Sequence, residues 1–176
     1  MANMTRKLPI NPDISYLLGI YSCNSGSDSI SLSTSNEKIV ERFVKIAVMN
    51  LDVKPENINI FKDEDHIEAI IGNSKVKKLF DNALERRDKI FKYRNEYSAS
   101  YFAALFDCKG ATDRKGLFLN HISNYEAVLL ERIGFHTTTN ANRTYIKNDM
   151  DFIMFISPFS IRAKGIHRPG NKRVPH

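Results

Sequence analysis

Polar and apolar positions alternate over residues 29–34, Ser-Ile-Ser-Leu-Ser-Thr. Period two predicts a half-buried strand with Ile30 and Leu32 inward and Ser29, Ser31 and Ser33 outward. The same alternation over 57–62 and 66–71, with Glu64-Asp65 between, predicts a hairpin. Helical spacing follows Asn36, putting Ile39, Val40, Phe43, Val44 and Ala47 on one face to about Leu51. A second amphipathic run from Gly72 to about Tyr93 buries Leu79, Phe80, Leu84 and Phe91. Later the chain offers a strand over 117–122, whose inward face is either Leu117/Leu119 or Phe118/Ile122, and a helix from Ser123 or Asn124 to about Ile133. A hairpin over 135–147 then sets Thr144 and Ile146 against Arg143, Tyr145 and Lys147, and a last helix spans 149–156 before Pro158.

Two short, mainly apolar stretches stand out as helices: Tyr16–Ser25 and Tyr101–Gly110. They match position by position at a spacing of 85 (101 − 16), pairing Tyr16 with Tyr101, Gly19 with Ala104 and Cys23 with Cys108. The elements that follow come in the same order after each, so the chain reads as a duplication. Ser35-Asn36-Glu37 answers to Ser123-Asn124-Tyr125-Glu126, and Ile71-Gly72-Asn73 to Ile146-Lys147-Asn148. Small residues four apart share one helix face. Gly19, Cys23, Ala104 and Cys108 therefore predict two helices packed closely about a pseudo-two-fold axis. Residues 1–95 and 96–164 form the two halves on this reading, and 165–176 a basic, mobile tail.

The two stretches resemble the nine-letter signature of the LAGLIDADG homing endonucleases, at Leu17–Ser25 and Phe102–Gly110. The resemblance covers about Asp13 to Lys164, including Pro158-Phe159 and then Arg162 and Lys164. It implies an α+β fold of two pseudo-symmetric αββαββα halves in one monomeric chain, with a saddle of antiparallel sheets over duplex DNA. It also implies an acid at the eighth letter of each copy, the pair holding divalent metal at the scissile phosphates. Those letters are Asn24 and Lys109 here, and Asp107 falls on the sixth. An amide brings no negative charge and an ammonium repels a cation. The expectation is therefore DNA binding without metal or cleavage. Magnesium-dependent activity would need relocated acids: Asp28 and Asp113, again 85 apart (113 − 28), with Asp107. Aspartate is also common in turns, which is the simpler reading of both. An RNA-binding, maturase-like module is the remaining alternative.

The net charge of +6 fits a polyanionic partner. Five Lys/Arg and no acid lie between Arg162 and His176, and eight Lys/Arg against three acids between Lys75 and Arg94. Expected DNA contacts are Ser29, Ser31, Ser33, Lys109, Arg143, Tyr145, Lys147, Arg162 and Lys164. Two cysteines make no disulfide framework and the histidines show no zinc spacing. No apolar run reaches the ~18 residues of a membrane span. The start is charged without a signal-peptide core. The expectation is an intracellular protein, cytoplasmic or in the nucleoid.

Overall fold

Two helices without a polar side form the axis of the molecule. α1 (Pro12–Cys23) opens at Asn11, whose side chain accepts from the Ile14 amide at 2.8 Å, with Pro12 in the first turn. α5 (Glu96–Lys109) opens at Asn95 in a reciprocal box with Ser98. Residues Ile14 to Tyr21 and Ser98 to Asp107 are all buried. The computed structural model describes residues 8–24 and 29–166.

After α1 come β1 (Ile30–Thr34) and α2 (Glu37–Leu51), then β2 (Ile58–Lys62), β3 (Ile67–Ile71), α3 (Ser74–Glu85) and the single turn α4 (Arg87–Ile90). After α5 come β4 (Gly110–Asp113), β5 (Gly116–Asn120), α6 (Asn124–Arg132), β6 (Thr137–Asn140), β7 (Arg143–Ile146) and α7 (Asp149–Ile156). The strands form two antiparallel sheets, ordered β1-β3-β2 and β4-β5-β7-β6. Each sheet turns one face onto a helix of the central pair and its neighbours. Ile30, Leu32, Ala69 and Ile71 do so in the first sheet, and Leu117, Leu119 and Ile146 in the second. One continuous core results, from Ile14 in α1 to Ile156 in α7.

One open alternative closes and two local expectations change. The inward face of the 117–122 strand is Leu117 and Leu119, while Phe118 points to the other face. Asp113, read as a turn residue, ends a strand that begins at Gly110, because α5 runs straight into β4. Gly110 allows this by lying against the Phe106 ring, where an added Cβ would sit 2.2 Å from a ring carbon. The long helix over 72–93 breaks at Arg86. There Arg87 turns in, one Nη donating to the Leu84 carbonyl at 2.8 Å and Nε reaching 3.4 Å from Glu126 Oε1. The turn read at Asp28 and most of the basic tail lie outside the described residues.

Candidate nucleic-acid interface

The closest approach of the paired helices is at Gly19. A Cβ built there would lie 2.4 Å from the Tyr101 carbonyl oxygen and 2.7 Å from the Ala104 Cβ. One turn further on, Cys23 and Cys108 are free thiols close enough to influence one another. The Cys108 contact, then burial, pushes the Cys23 thiol well above its ordinary range, with the Lys109 charge nearby opposing the shift. Cys23 is therefore a neutral thiol near neutral pH, a poor nucleophile and metal ligand.

Asn24 and Lys109 finish the two helices side by side in the chain's repeat. The Asn24 amide donates to the Ser31 carbonyl at 2.7 Å, which fixes β1 to the foot of α1. Asn120 of β5 donates to the Lys109 carbonyl at 3.4 Å, fixing the second sheet to the foot of α5. Divalent metal between the feet would need carboxylates there. The described residues supply an amide, an ammonium and two thiols, and this set does not fit such an ion.

Asp107 is deeply buried and its carboxylate is fully occupied. Oδ1 accepts from Ser160 Oγ at 2.6 Å and the Arg162 amide at 2.9 Å. Oδ2 accepts from Tyr16 Oη at 2.6 Å and the Ile161 amide at 2.9 Å. Asp107 thus ties the segment after α7 to both central helices and presents no lone pair to a cation, contrary to its expected part in a relocated metal site. The repeat makes this contact reciprocal. Tyr16 donates directly to the sixth signature letter of the other helix, Asp107; Tyr101 and the sixth letter of the first helix, Ser22, meet at one shared acceptor. Ser22 has no charge, and a carboxylate comes instead from Glu126 of α6. Its Oε1 accepts from Ser22 Oγ at 2.8 Å and Tyr101 Oη at 2.9 Å. Sequence reasoning missed Glu126. Its only local signal is the Ser123…Glu126 capping pattern, and the side chain does reach back to the Ser123 amide at 3.1 Å.

Burial, then the neighbouring carboxylate, drives both phenols far above their ordinary value, Tyr16 by Asp107 and Tyr101 by Glu126. A raised folded-state pKa gives stability that is complete below the unfolded value of 10.0 and is lost as pH rises beyond it. In an alkaline titration the phenolate absorbance of these two tyrosines should therefore appear only together with loss of the helical circular-dichroism signal. Ionisation of all seven tyrosines with that signal intact would contradict the arrangement.

The second sheet's outer face carries Asp113, Phe118, Asn120, Asn140, Arg143 and Tyr145, by strand register. Lys147 follows β7 in the same alternation and is exposed. On the first sheet Ser31, Ser33, Asn59, Phe61, Glu68 and Ile70 take the corresponding face. Ser33 Oγ lies 2.7 Å from His66 Nε2, and Ser29 sits just before β1. Asp113 belongs to this sheet surface and its carboxylate is engaged. Oδ1 accepts from the Lys115 amide at 2.8 Å, and Oδ2 from Arg143 at 3.0 Å and Tyr145 Oη at 2.9 Å. The Lys115 amide first, then Tyr145 and Arg143, outweigh a small burial effect and hold its carboxyl below the ordinary range. Asp28 lies outside the described residues.

Two expected contacts are placed elsewhere. One Arg162 Nη donates to the last-turn carbonyls of α5, Phe106 at 3.2 Å and Asp107 at 3.3 Å, where a cation complements the helix C-terminus. Lys164 is exposed on a groove of about 620 Å³ shared with Asp13 at the start of α1 and Arg42 of α2, not on either outer sheet face.

No family model matches the chain, and no curated protein matches it. Solved structures do. The homing endonuclease I-DmoI in complex with DNA and Mn superposes with a TM-score of 0.65 at 16% identity, covering 84% of this chain and 97% of that one. A structure from the mesophilic variants of I-DmoI gives a TM-score of 0.64 at 16% identity over 82% and 94% of the two chains. I-DmoI in complex with DNA and Ca gives 0.60 at 18% identity over 84% and 88%. The chain therefore has the two-repeat LAGLIDADG fold.

Proposed function

We propose that the protein binds duplex DNA across the outer faces of its two sheets and does not cut it. The observation that carries this reading is the foot of the helix pair, where Asn24 and Lys109 stand fixed to the two sheets without a described carboxylate. The fold supplies the context, since I-DmoI shares it and is crystallised with DNA. The serines, asparagines, arginine and lysine of the outer faces suit phosphate and base-edge contacts. At the helix feet the electrostatics favour phosphate over metal. Two unit charges ~4 Å apart interact by about 4 kcal/mol at an effective dielectric of 20. An ammonium in place of a carboxylate changes the sign of that term for a cation, and the same ammonium attracts a phosphate.

The test is a selection of bound sequences from random duplex DNA, followed by binding titrations over a salt series and cleavage assays with magnesium and manganese. Binding should weaken steeply with salt because released counterions drive it. Lys109→Ala should reduce the slope of log K against log salt by about one. The selected duplex should stay intact with either metal. Cleavage that disappears in the Asp28→Ala, Asp113→Ala double variant while binding persists would establish relocated acids instead. Structured RNA that displaces duplex DNA at equal salt would move the function to RNA.

A further inference from the structure

On the outer face of the second sheet, Phe118 is 4% exposed, although a solvated sheet face has no use for a buried aromatic. Its cover is Tyr145, with ring centroids 5.3 Å apart, and Arg143, whose guanidinium carbon lies 4.6 Å from the Phe118 centroid. Arg143 is also held from the side by Asp113 Oδ2 at 3.0 Å, and that oxygen is itself fixed by Tyr145 Oη at 2.9 Å. The arginine side chain nevertheless remains half exposed. An exposed ion pair alone stabilises little. Stacking on an aromatic and pinning by a fixed carboxylate do something else: they hold a planar guanidinium in one orientation, so little of its rotamer freedom is lost on binding.

From this geometry, and resting on the DNA-binding reading above, we infer that Arg143 reads a guanine in the major groove, with Asp113 as its positioning residue. A guanidinium has five N–H groups in a rigid fork and needs two of them for guanine O6 and N7. Its place in the sheet fits base contact. Strand register sets Asn120, Arg143 and Asn140 side by side in one row across β5, β7 and β6. The repeat adds a restriction. Arg143 lies three residues before Ile146, and Glu68 lies three before Ile71 in the equivalent strand. The same slot thus holds an acid in the first half, and the arginine-dependent guanine belongs to one half of the site only.

The experiment is the duplex selection repeated with full-length Arg143→Ala, Arg143→Lys and Asp113→Asn proteins, then titration of the selected duplex with each base pair substituted in turn. Wild type should show a G·C position, confined to one half, at which substitution weakens binding roughly ten- to a hundredfold. Arg143→Ala should abolish that preference and leave the other positions unchanged. Arg143→Lys should keep the salt dependence and lose most of the preference, because a point charge has no fork. Asp113→Asn should relax the preference at that position, because the guanidinium keeps its fork and loses the fixed carboxylate that orients it. Profiles of Arg143→Ala and Arg143→Lys that match wild type would overturn the assignment and leave DNA binding standing. A wild-type protein that selects no duplex would overturn the DNA-binding reading itself, and this inference with it.

Discussion

Asp107→Ala should lower the stability of the protein by about 4 kcal/mol or more, since four donors lose their acceptor and each buried orphan costs ~1–3 kcal/mol. The four are Tyr16 Oη, Ser160 Oγ and the amides of Ile161 and Arg162. Asp107→Asn does not rescue the site. Each carboxylate oxygen accepts from two donors, so either orientation of an amide turns its NH₂ toward two of them. Both variants should show a lower urea midpoint at unchanged slope and a melting temperature reduced by roughly 10 °C for a chain of this size. A metal-ligand role predicts the opposite pattern, an unchanged midpoint without metal and lost metal dependence. A wild-type midpoint in Asp107→Ala would remove Asp107 from the framework and reopen that role.

The difference between what the sequence shows and what it hides is a difference in range. Packing at Gly19, Cys23, Ala104 and Cys108 follows from helical spacing within each stretch and from their equivalence in the repeat, so no distant partner has to be guessed. The strand faces of β1 and β7 follow from period-two alternation for the same reason. Glu126 is different. Locally it is a capping glutamate, and its burial depends on Ser22 and Tyr101, which the sequence places 104 and 25 positions away. Arg162 reads as a surface cation until the α5 carbonyls are placed beneath it. β4 is hidden because Gly-Ala-Thr-Asp has turn composition. Its extended form is set by pairing with β5, from Gly110 opposite Leu119 to Asp113 opposite Gly116. The break at Arg86 is hidden because the Lys/Arg-rich run is compatible with helix throughout, and Arg87 leaves that path toward an acid in the other half.

Asp107 and Glu126 also show how the duplication has diverged without losing its framework. The two tyrosines occupy the same repeat position, and each ends on a buried carboxylate. For one tyrosine that carboxylate is the signature letter itself; for the other it arrives from α6 and is shared with Ser22. Asp107 and Glu126 therefore serve packing, and the eighth letters at the helix feet are Asn24 and Lys109. That division explains why a carboxylate in the signature stretch is not by itself a sign of metal chemistry.

Gly19 gives the sharpest test of the framework, because its expected effect has the opposite sign to the general rule. Glycine inside a helix is normally the worse residue, and alanine in its place stabilises by about 1 kcal/mol. At Gly19 the new Cβ would lie 2.4 Å from the Tyr101 carbonyl oxygen, a backbone atom inside α5 that no side-chain rotation can move. The second contact, 2.7 Å to the Ala104 Cβ, is on the same partner helix. Relief requires the two helices to separate, and that disturbs the Cys23–Cys108 and Tyr16–Asp107 contacts on either side. Gly19→Ala should therefore destabilise by about 1–3 kcal/mol, as overpacking does, and Gly19→Val by more. Gly134→Ala is the control for backbone effects: its φ is +96°, with nothing within 4 Å of the added Cβ, so only conformational strain of about 1 kcal/mol should appear. Ala104→Gly removes a methyl from the same crossing and should partly rescue Gly19→Ala, since that contact is between the two Cβ atoms, while the clash with the Tyr101 carbonyl remains. A Gly19→Ala protein that melts above wild type would mean the helices do not meet there, and the pseudo-two-fold packing on which the sheets are hung would have to be abandoned.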